Sequence, residues 1–496
     1  MAALDSTLGS RLGSYGESLA VVDQDGEQSY AALDSAASAV ASVLVGTGMQ
    51  PGSVVATVCP AGRWWLAGTY GAWRAGAVLL PLEASHPPAE LRHPITDSSV
   101  THVLCTAETA ELANELAAFT NAQIIDVREA VRAENSVKLP EIADDSDAMI
   151  VYTSGTTGLP KGVVHTHRSL AAQCSAMVEA WAWTSADRIV CVLPLHHVHG
   201  LVNVTFTSLS VGAVLETPGH FDAIATWERL ASGDITIFMA VPTIYSRLVR
   251  AWLDADDATK ARWSSRAALL RLMVSGSAAL PVSTLEQWRE ISGHVLLERY
   301  GMTELGMALG NTLDRRVPGH VGWPFPGVEV RIVDEAGRDV VEGEVGELLV
   351  RGTQVFNRYL NRPEATAESF VDGWFRTGDV AQQTPDGYRL LGRASVDIIK
   401  SGGEKVSALD IEEVFRTHPA ISDCAVVGLP DEEWGERVAI AWVADSDDRP
   451  TDAEFRAWGK ERLAPAKVPV KYLCIGELPR NPMGKVTKVA VKELFA

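Results

Sequence analysis

A chain of 496 residues is long for one core, and its 47% hydrophobic and 21% charged content is that of a folded protein of two or more domains, which excludes long disordered or fibrous readings. The formal net charge of −20 and a pI near 5.1 weigh against general affinity for nucleic acid or an anionic membrane, so any anion must meet a local basic site. Six scattered cysteines without a C-x-x-C pair, an N-terminus without a signal-type apolar core, and no apolar stretch long enough to span a bilayer together predict a cytoplasmic enzyme with reduced thiols.

From Tyr30 the pattern alternates: a helix to Leu44, a strand from Ser53 to Cys59, a helix from Trp64 to Arg74, and a strand Val78-Leu79-Leu80 that stops at Pro81. Such alternation predicts α/β layers around a parallel sheet, extended by short strands at Val100–Cys105 and Gln123–Asp126. The apolar run beginning at Met149 halts at Thr153-Ser154-Gly155-Thr156-Thr157-Gly158, with Lys161-Gly162 close behind. Small hydroxyls, glycines that let backbone amides turn inward and a mobile lysine make this an anion cradle. Pro160 stands where a Walker A loop needs its second glycine, and the residues from Gly162 to His167 read as a strand, so phosphates are expected at a loop between strands.

Leu170, Cys174, Met177, Val178 and Trp181 mark the buried face of a helix. The run from Cys191 reads as an apolar strand ending in His196, His197 and His199, which are expected to line a pocket more readily than to bind zinc, since no fourth ligand is near. A second α/β alternation covers Ala213 to Leu297: a strand at Ile235–Val241, a helix opened by Pro242 that carries Tyr245 and Arg247, and a strand from Leu269 to Val274 ending at Ser275-Gly276-Ser277-Ala278. Met273 in the first glycine position rules out a nucleophile elbow. In Leu297-Glu298-Arg299-Tyr300-Gly301, an arginine directly after an apolar strand needs either a salt bridge or a bound anion.

From Gly327 short strands with Gly and Asp punctuation predict a small antiparallel or barrel-like piece that holds Trp374-Phe375-Arg376-Thr377-Gly378-Asp379 and Gly392-Arg393. The last hundred residues form an α/β set of their own, with Gly402-Gly403 near its start and Lys485 in a loop near its end. The boundary is placed after Arg393, giving domains 1–393 and 394–496.

Taken in order, YTSGTTGLPKG, ERYGMTE, WFRTGD, GR followed by SGG, and PRNPMGK resemble the adenylate-forming superfamily of acyl-CoA synthetases, luciferases and adenylation domains. The resemblance implies an α/β fold: a large N-terminal domain of layered α/β subdomains with a small β-barrel-like subdomain, then a small mobile α+β C-terminal domain. It implies a two-step reaction in which a carboxylate attacks ATP to give an acyl-adenylate and pyrophosphate, and a thiol, usually that of coenzyme A, displaces AMP. It further implies that Thr153, Ser154, Gly155, Thr156, Thr157 and Lys161 grip the outer phosphates. Glu304 and Thr156 would hold Mg²⁺, Tyr300 would stack on adenine, and Ser277 and Glu298 would add nucleotide contacts. Asp379 and Arg393 would take the ribose hydroxyls. Thr303, Glu304, His197 and Lys485 are placed at the reacting centre, and Gly402 and Gly403 along the coenzyme A channel after the C-terminal domain rotates about Ser395 or Val396.

LPLHHVHGLVN, ERYGMTELGMALGN and GRASVDIIKSGG look in particular like malonyl-CoA synthetases. Arg299 with Arg247 would clasp a second carboxylate, and Ser277, His199, Gly301 and Met307 would line the acyl pocket, so the expected substrate is malonate or methylmalonate. A monocarboxylate ligase shares every motif except the two arginines, and a stand-alone adenylation enzyme would deliver to a carrier protein. The chain departs from the common pattern at His196, where relatives often have Phe, and at Glu404, where a bulky residue is frequent. The partners expected are ATP, coenzyme A and a small dicarboxylate, with no nucleic acid or membrane, acting on a monomer.

Overall fold

The computed structural model describes the chain apart from residues 1–7, 9–10, 134–136, 154–158, 402–403, 433, 446–448, 481–484 and 496. Two large mixed sheets, a smaller antiparallel sheet and a C-terminal sheet carry the chain. In the nine-stranded sheet, Leu297–Met302, Leu272–Ser275, Ile237–Ala240, Arg188–Val190, Val214–Glu216 and Leu19–Asp23 run parallel as neighbours. The seven-stranded sheet centres on Val54–Thr57 and Val78–Pro81, with His102–Cys105 and Gln123–Asp126 on one side and the hairpin Asp147–Thr153/Lys161–Thr166 on the other.

Successive residues of these strands are buried on opposite faces, as the two-residue period of a strand requires. Val55, Leu79, Leu104, Met149 and Val151 join the main core, while Ala56, Leu80, Val103 and Ile150 form a second cluster behind the sheet. Burial on both faces explains why the strands read as unbroken apolar runs. The helices between them follow the sequence closely: Tyr30–Gly46 starts at Ser29, whose hydroxyl accepts from Ala32 N–H, and Pro242–Asp254 starts on its proline.

Three expectations are corrected. The sheets are mixed, not purely parallel, because Asp147–Thr153 and Lys161–Thr166 pair antiparallel across the glycine loop. Arg299 and Tyr300 lie within the strand Leu297–Met302, not after it. The strand expected from Cys191 ends early, at Val190, and His199–Phe206 is a π-helical segment. Pro194 has no N–H for a ladder, and Gly200 runs so close to the Pro194 carbonyl that a Cβ would lie 2.4 Å from its oxygen, which turns the chain out of the sheet.

The antiparallel sheet of Val328–Val333, Val345–Gly352, Trp374–Thr384, Phe370–Val371 and Gly387–Arg393 is the small barrel-like piece. Its last strand ends at Arg393, a turn covers Ala394 to Asp397, and Ile398–Ser401 begins the C-terminal sheet. That sheet has its own two-sided core, with Val426, Ile440 and Trp442 on one face and Val427, Ala439 and Ala441 on the other. Among the described residues no helix is long and apolar enough to cross a membrane.

Candidate active site

The loops at the ends of the parallel strands face the C-terminal unit, and the chemistry-bearing residues collect there. Thr153 and Lys161 are paired at the mouth of their hairpin, and the Lys161 ammonium lies 4.9 Å over the Tyr359 ring. Ser154, Gly155, Thr156 and Thr157 fall outside the described residues. The Tyr359 hydroxyl donates to Glu304 Oε1 at 2.9 Å. Glu304 is buried, which raises its pKa, and it has no cationic side chain in a salt bridge among the described residues. A buried carboxylate with oxygen to spare fits Mg²⁺, a hard ion that fills its shell with phosphate oxygens and water. Beside it the Thr303 carbonyl accepts from His165 Nε2–H at 2.8 Å. Burial pushes His165 down to about 4, so it serves as a neutral strut.

Tyr300, Asp379 and Arg393 form one network. The Tyr300 hydroxyl donates to Asp379 Oδ2 at 2.6 Å, and Arg393 Nε donates to Oδ1 at 3.1 Å. Thr377 steadies the corner by donating to Leu348 and accepting from the Asp379 N–H. Glu298, on the strand before Arg299, accepts from the Gly319 N–H at 2.8 Å, and burial pushes its carboxyl up to about 8. Gly301 faces Met307 across the hairpin that follows, and Met307 is buried.

Arg299 is 6% exposed and makes no salt bridge to a described carboxylate. Its Nη2 donates to Ser277 Oγ at 3.3 Å, and Ser277 Oγ lies 3.1 Å from His199 Nδ1. The Ser277 hydroxyl, which accepts from Arg299, can either donate to His199 Nδ1 or accept from it, and so joins the two side chains in either tautomer. Both Arg299 Nε and His199 Nε2 are buried without a partner among the described residues. Burial lowers Arg299 to about 9, still charged at neutral pH, and burial followed by the charges of Arg299 and Lys485 keeps His199 neutral. Ser277 itself holds a left-handed φ of 73°, and Gly276 beside it lets Arg299 approach where a Cβ would come within 2.4 Å of Nε. The cluster therefore presents one buried positive charge and two nitrogens that meet no partner among the described residues.

Lys485 enters this centre from the C-terminal unit. Desolvation lowers its pKa first, then the guanidiniums of Arg299 and Arg393, with Asp379 opposing. His197 is pushed down to about 3 by burial and by the charges of His196, Lys485 and His86. Arg247 is not joined to the Arg299 cluster: its guanidinium is exposed and lies 4.7 Å over Phe221. Helical spacing accounts for this, since Tyr245 two residues earlier takes the buried face and donates to the Val274 carbonyl. Gly402 and Gly403 lie outside the described residues, and Glu404 beside them is exposed. Sequence reading passed over Tyr359, His165, Thr377 and Glu83; of these only Thr377 sat inside a recognised motif.

Lys161 at its hairpin mouth, the network of Tyr300, Asp379 and Arg393 at the small sheet and Lys485 near Arg299 are groups suited to an anionic nucleotide, and comparison with known proteins gives the class of enzyme. The family model for AMP-binding enzymes matches residues 10–360 and that for the AMP-binding enzyme C-terminal domain matches 410–485, and the chain belongs to this family. It is 42% identical to the mitochondrial malonate–CoA ligase ACSF3 of Mus musculus, over 97% of this chain and 88% of that protein. The malonate–CoA ligase of Arabidopsis thaliana is 40% identical over 90% of this chain and 79% of its own length. Among solved structures, ATP-bound MatB from Rhodopseudomonas palustris superposes with a TM-score of 0.91 at 33% identity, covering 99% of each chain.

Proposed function

We propose that this protein is an AMP-forming malonate–CoA ligase, and that the buried, unmatched cation of Arg299 is what selects a diacid. The observation that carries the reading is the cluster of Arg299, Ser277 and His199: burying a guanidinium is costly unless an anion joins it, and Arg299 Nε, a donor without an acceptor among the described residues, can take a carboxylate oxygen. The malonate–CoA ligases of mouse and Arabidopsis support the same choice.

In this reading one carboxylate of malonate rests on Arg299 and His199 while the other faces the α-phosphate of ATP. Lys485 stands between the two anions and offsets the charge that builds as the carboxylate oxygen bonds to phosphorus and pyrophosphate leaves. Lys161 and the hairpin mouth hold the departing phosphates, Glu304 would hold Mg²⁺, which screens them, and Tyr300, Asp379 and Arg393 fix the nucleoside. The Ala394–Asp397 turn is the pivot about which residues 394–496 swing to admit coenzyme A, whose thiol then displaces AMP. The free cysteines favour a reducing compartment, and the names of the animal relatives point to mitochondria.

Pyrophosphate release measured with malonate, methylmalonate, succinate, acetate, octanoate and coumarate, each with and without coenzyme A, tests the assignment. Malonate is expected to lead, and Arg299→Met to cut malonate turnover about 100-fold while sparing small monocarboxylates. A preference for octanoate or coumarate in the native enzyme would sink the diacid reading.

A further inference from the structure

Glu83 and His86, outside the recognised motifs, meet His196 and His197 of the histidine-rich segment. Glu83 lies in the turn after the strand Val78–Pro81, and its Oε1 accepts the Ser85 hydroxyl at 3.1 Å and the Ser85 N–H at 3.3 Å. Its Oε2 lies 3.0 Å from Nδ1 of His196. Nδ1 makes no aligned hydrogen bond among the described residues, so the contact is electrostatic: the carboxylate favours a proton on Nδ1 and draws that edge of the ring toward it. The His196 ring lies 3.9 Å from that of His197, and His86 packs edge-on against it at 5.2 Å. The neighbouring His196 imidazole holds Glu83 down at about 2, so the anion persists throughout the working pH range.

His197 lies two residues before His199, which Ser277 joins to Arg299; burial lowers the pKa of His197, and Lys485 is among the charges that lower it further. A neutral imidazole there can donate to a substrate oxygen without adding a third cation beside Arg299 and Lys485. Its ring must then be held by packing, and the face it rests on is His196.

We propose that Glu83 is a positioning residue for the adenylation step: by clamping His196 it fixes the surface against which His197 rests where Lys485 arrives. The role rests on the adenylation chemistry proposed above and concerns the first half-reaction alone, because Lys485 leaves the site for the second.

The test follows single-turnover pyrophosphate release without coenzyme A, alongside thioester formation from preformed malonyl-adenylate, in Glu83→Gln, Glu83→Asp, Ser85→Ala, His196→Phe and the Glu83→Gln/His196→Phe pair. Glu83→Gln is expected to slow adenylation about 10-fold, with KM for ATP and malonate and the thioester rate within about twofold. Glu83→Asp should recover part of the loss. Ser85→Ala, which spares the His196 contact, should keep the native rate. With Phe at position 196 there is no ring nitrogen to clamp, so adding Glu83→Gln should cost nothing further. An equal loss in the His196→Phe background, a comparable loss in Ser85→Ala, or no loss in Glu83→Gln would overturn the proposal. Failure of the native enzyme to release pyrophosphate would instead overturn the function it rests on.

Discussion

Lys485 arrives at a centre that already holds two guanidiniums, and this sets what its loss should do. Desolvation and the charges of Arg299 and Arg393 make the ammonium costly to keep until two anions are bound, so its stabilising effect is concentrated in the first half-reaction. Lys485→Ala is expected to slow pyrophosphate release about 100-fold or more, while thioester formation from preformed acyl-adenylate stays within about twofold; equal losses in both steps would remove the assignment. Glu298 yields a test against pH. Its carboxyl is raised to about 8 in the fold, so between its ordinary range and pH 8 the native state holds a proton that the unfolded chain has released, and stability falls as pH rises through that window. Glu298→Gln should therefore melt about 2 °C or more above the native protein at pH 8 and lose that advantage near pH 4.5, as differential scanning calorimetry would record. Arg299 was legible in the sequence because a guanidinium beside an apolar strand demands a partner. Tyr359 and His165 were not, since their meaning lies in bonds to Glu304 and Thr303, 55 and 138 residues away in the chain.

The helix Val282–Ser292 begins after Pro281 without a side-chain cap of its own. Its first N–H, at Val282, donates to Glu413 Oε1 at 2.9 Å, and Glu413 sits on the helix Ala408–Arg416 of the C-terminal unit. The C-terminal unit thus caps this helix in the same pose that places Lys485 among the charges of Arg299 and Arg393. Glu413→Ala should weaken that pose by about 1 kcal/mol and slow adenylation by up to about fivefold without slowing thioester formation; stopped-flow traces of both steps decide it, and equal slowing would assign Glu413 a merely structural role. Elements of this length were legible because apolar runs and turn residues mark their ends. Their partners were not: the antiparallel hairpin at the phosphate loop and the π-helical turn at His199 follow from close backbone contacts that a linear pattern does not encode.

The sequence places a boundary after Arg393 from a change in composition, and the structure adds a tie at that point which composition does not reveal. The Arg393 N–H donates to Asp397 Oδ2 at 3.0 Å, and Asp397 also lies 3.7 Å from the ammonium of Lys488 on the final helix. The network of Tyr300, Asp379 and Arg393, the Ala394–Asp397 turn and the final helix are therefore one connected structure, assembled from residues nearly a hundred positions apart. Arg299 has a consequence at this scale as well. A folded chain that encloses a cation without its anion is held below the stability it reaches once the acid is bound, so the substrate acts as a ligand of the native state alone. In a cell that clears unfolded chains, the amount of enzyme would then follow the supply of its own acid: scarce malonate would leave more chains open to proteolysis, and abundant malonate would preserve the catalyst that consumes it.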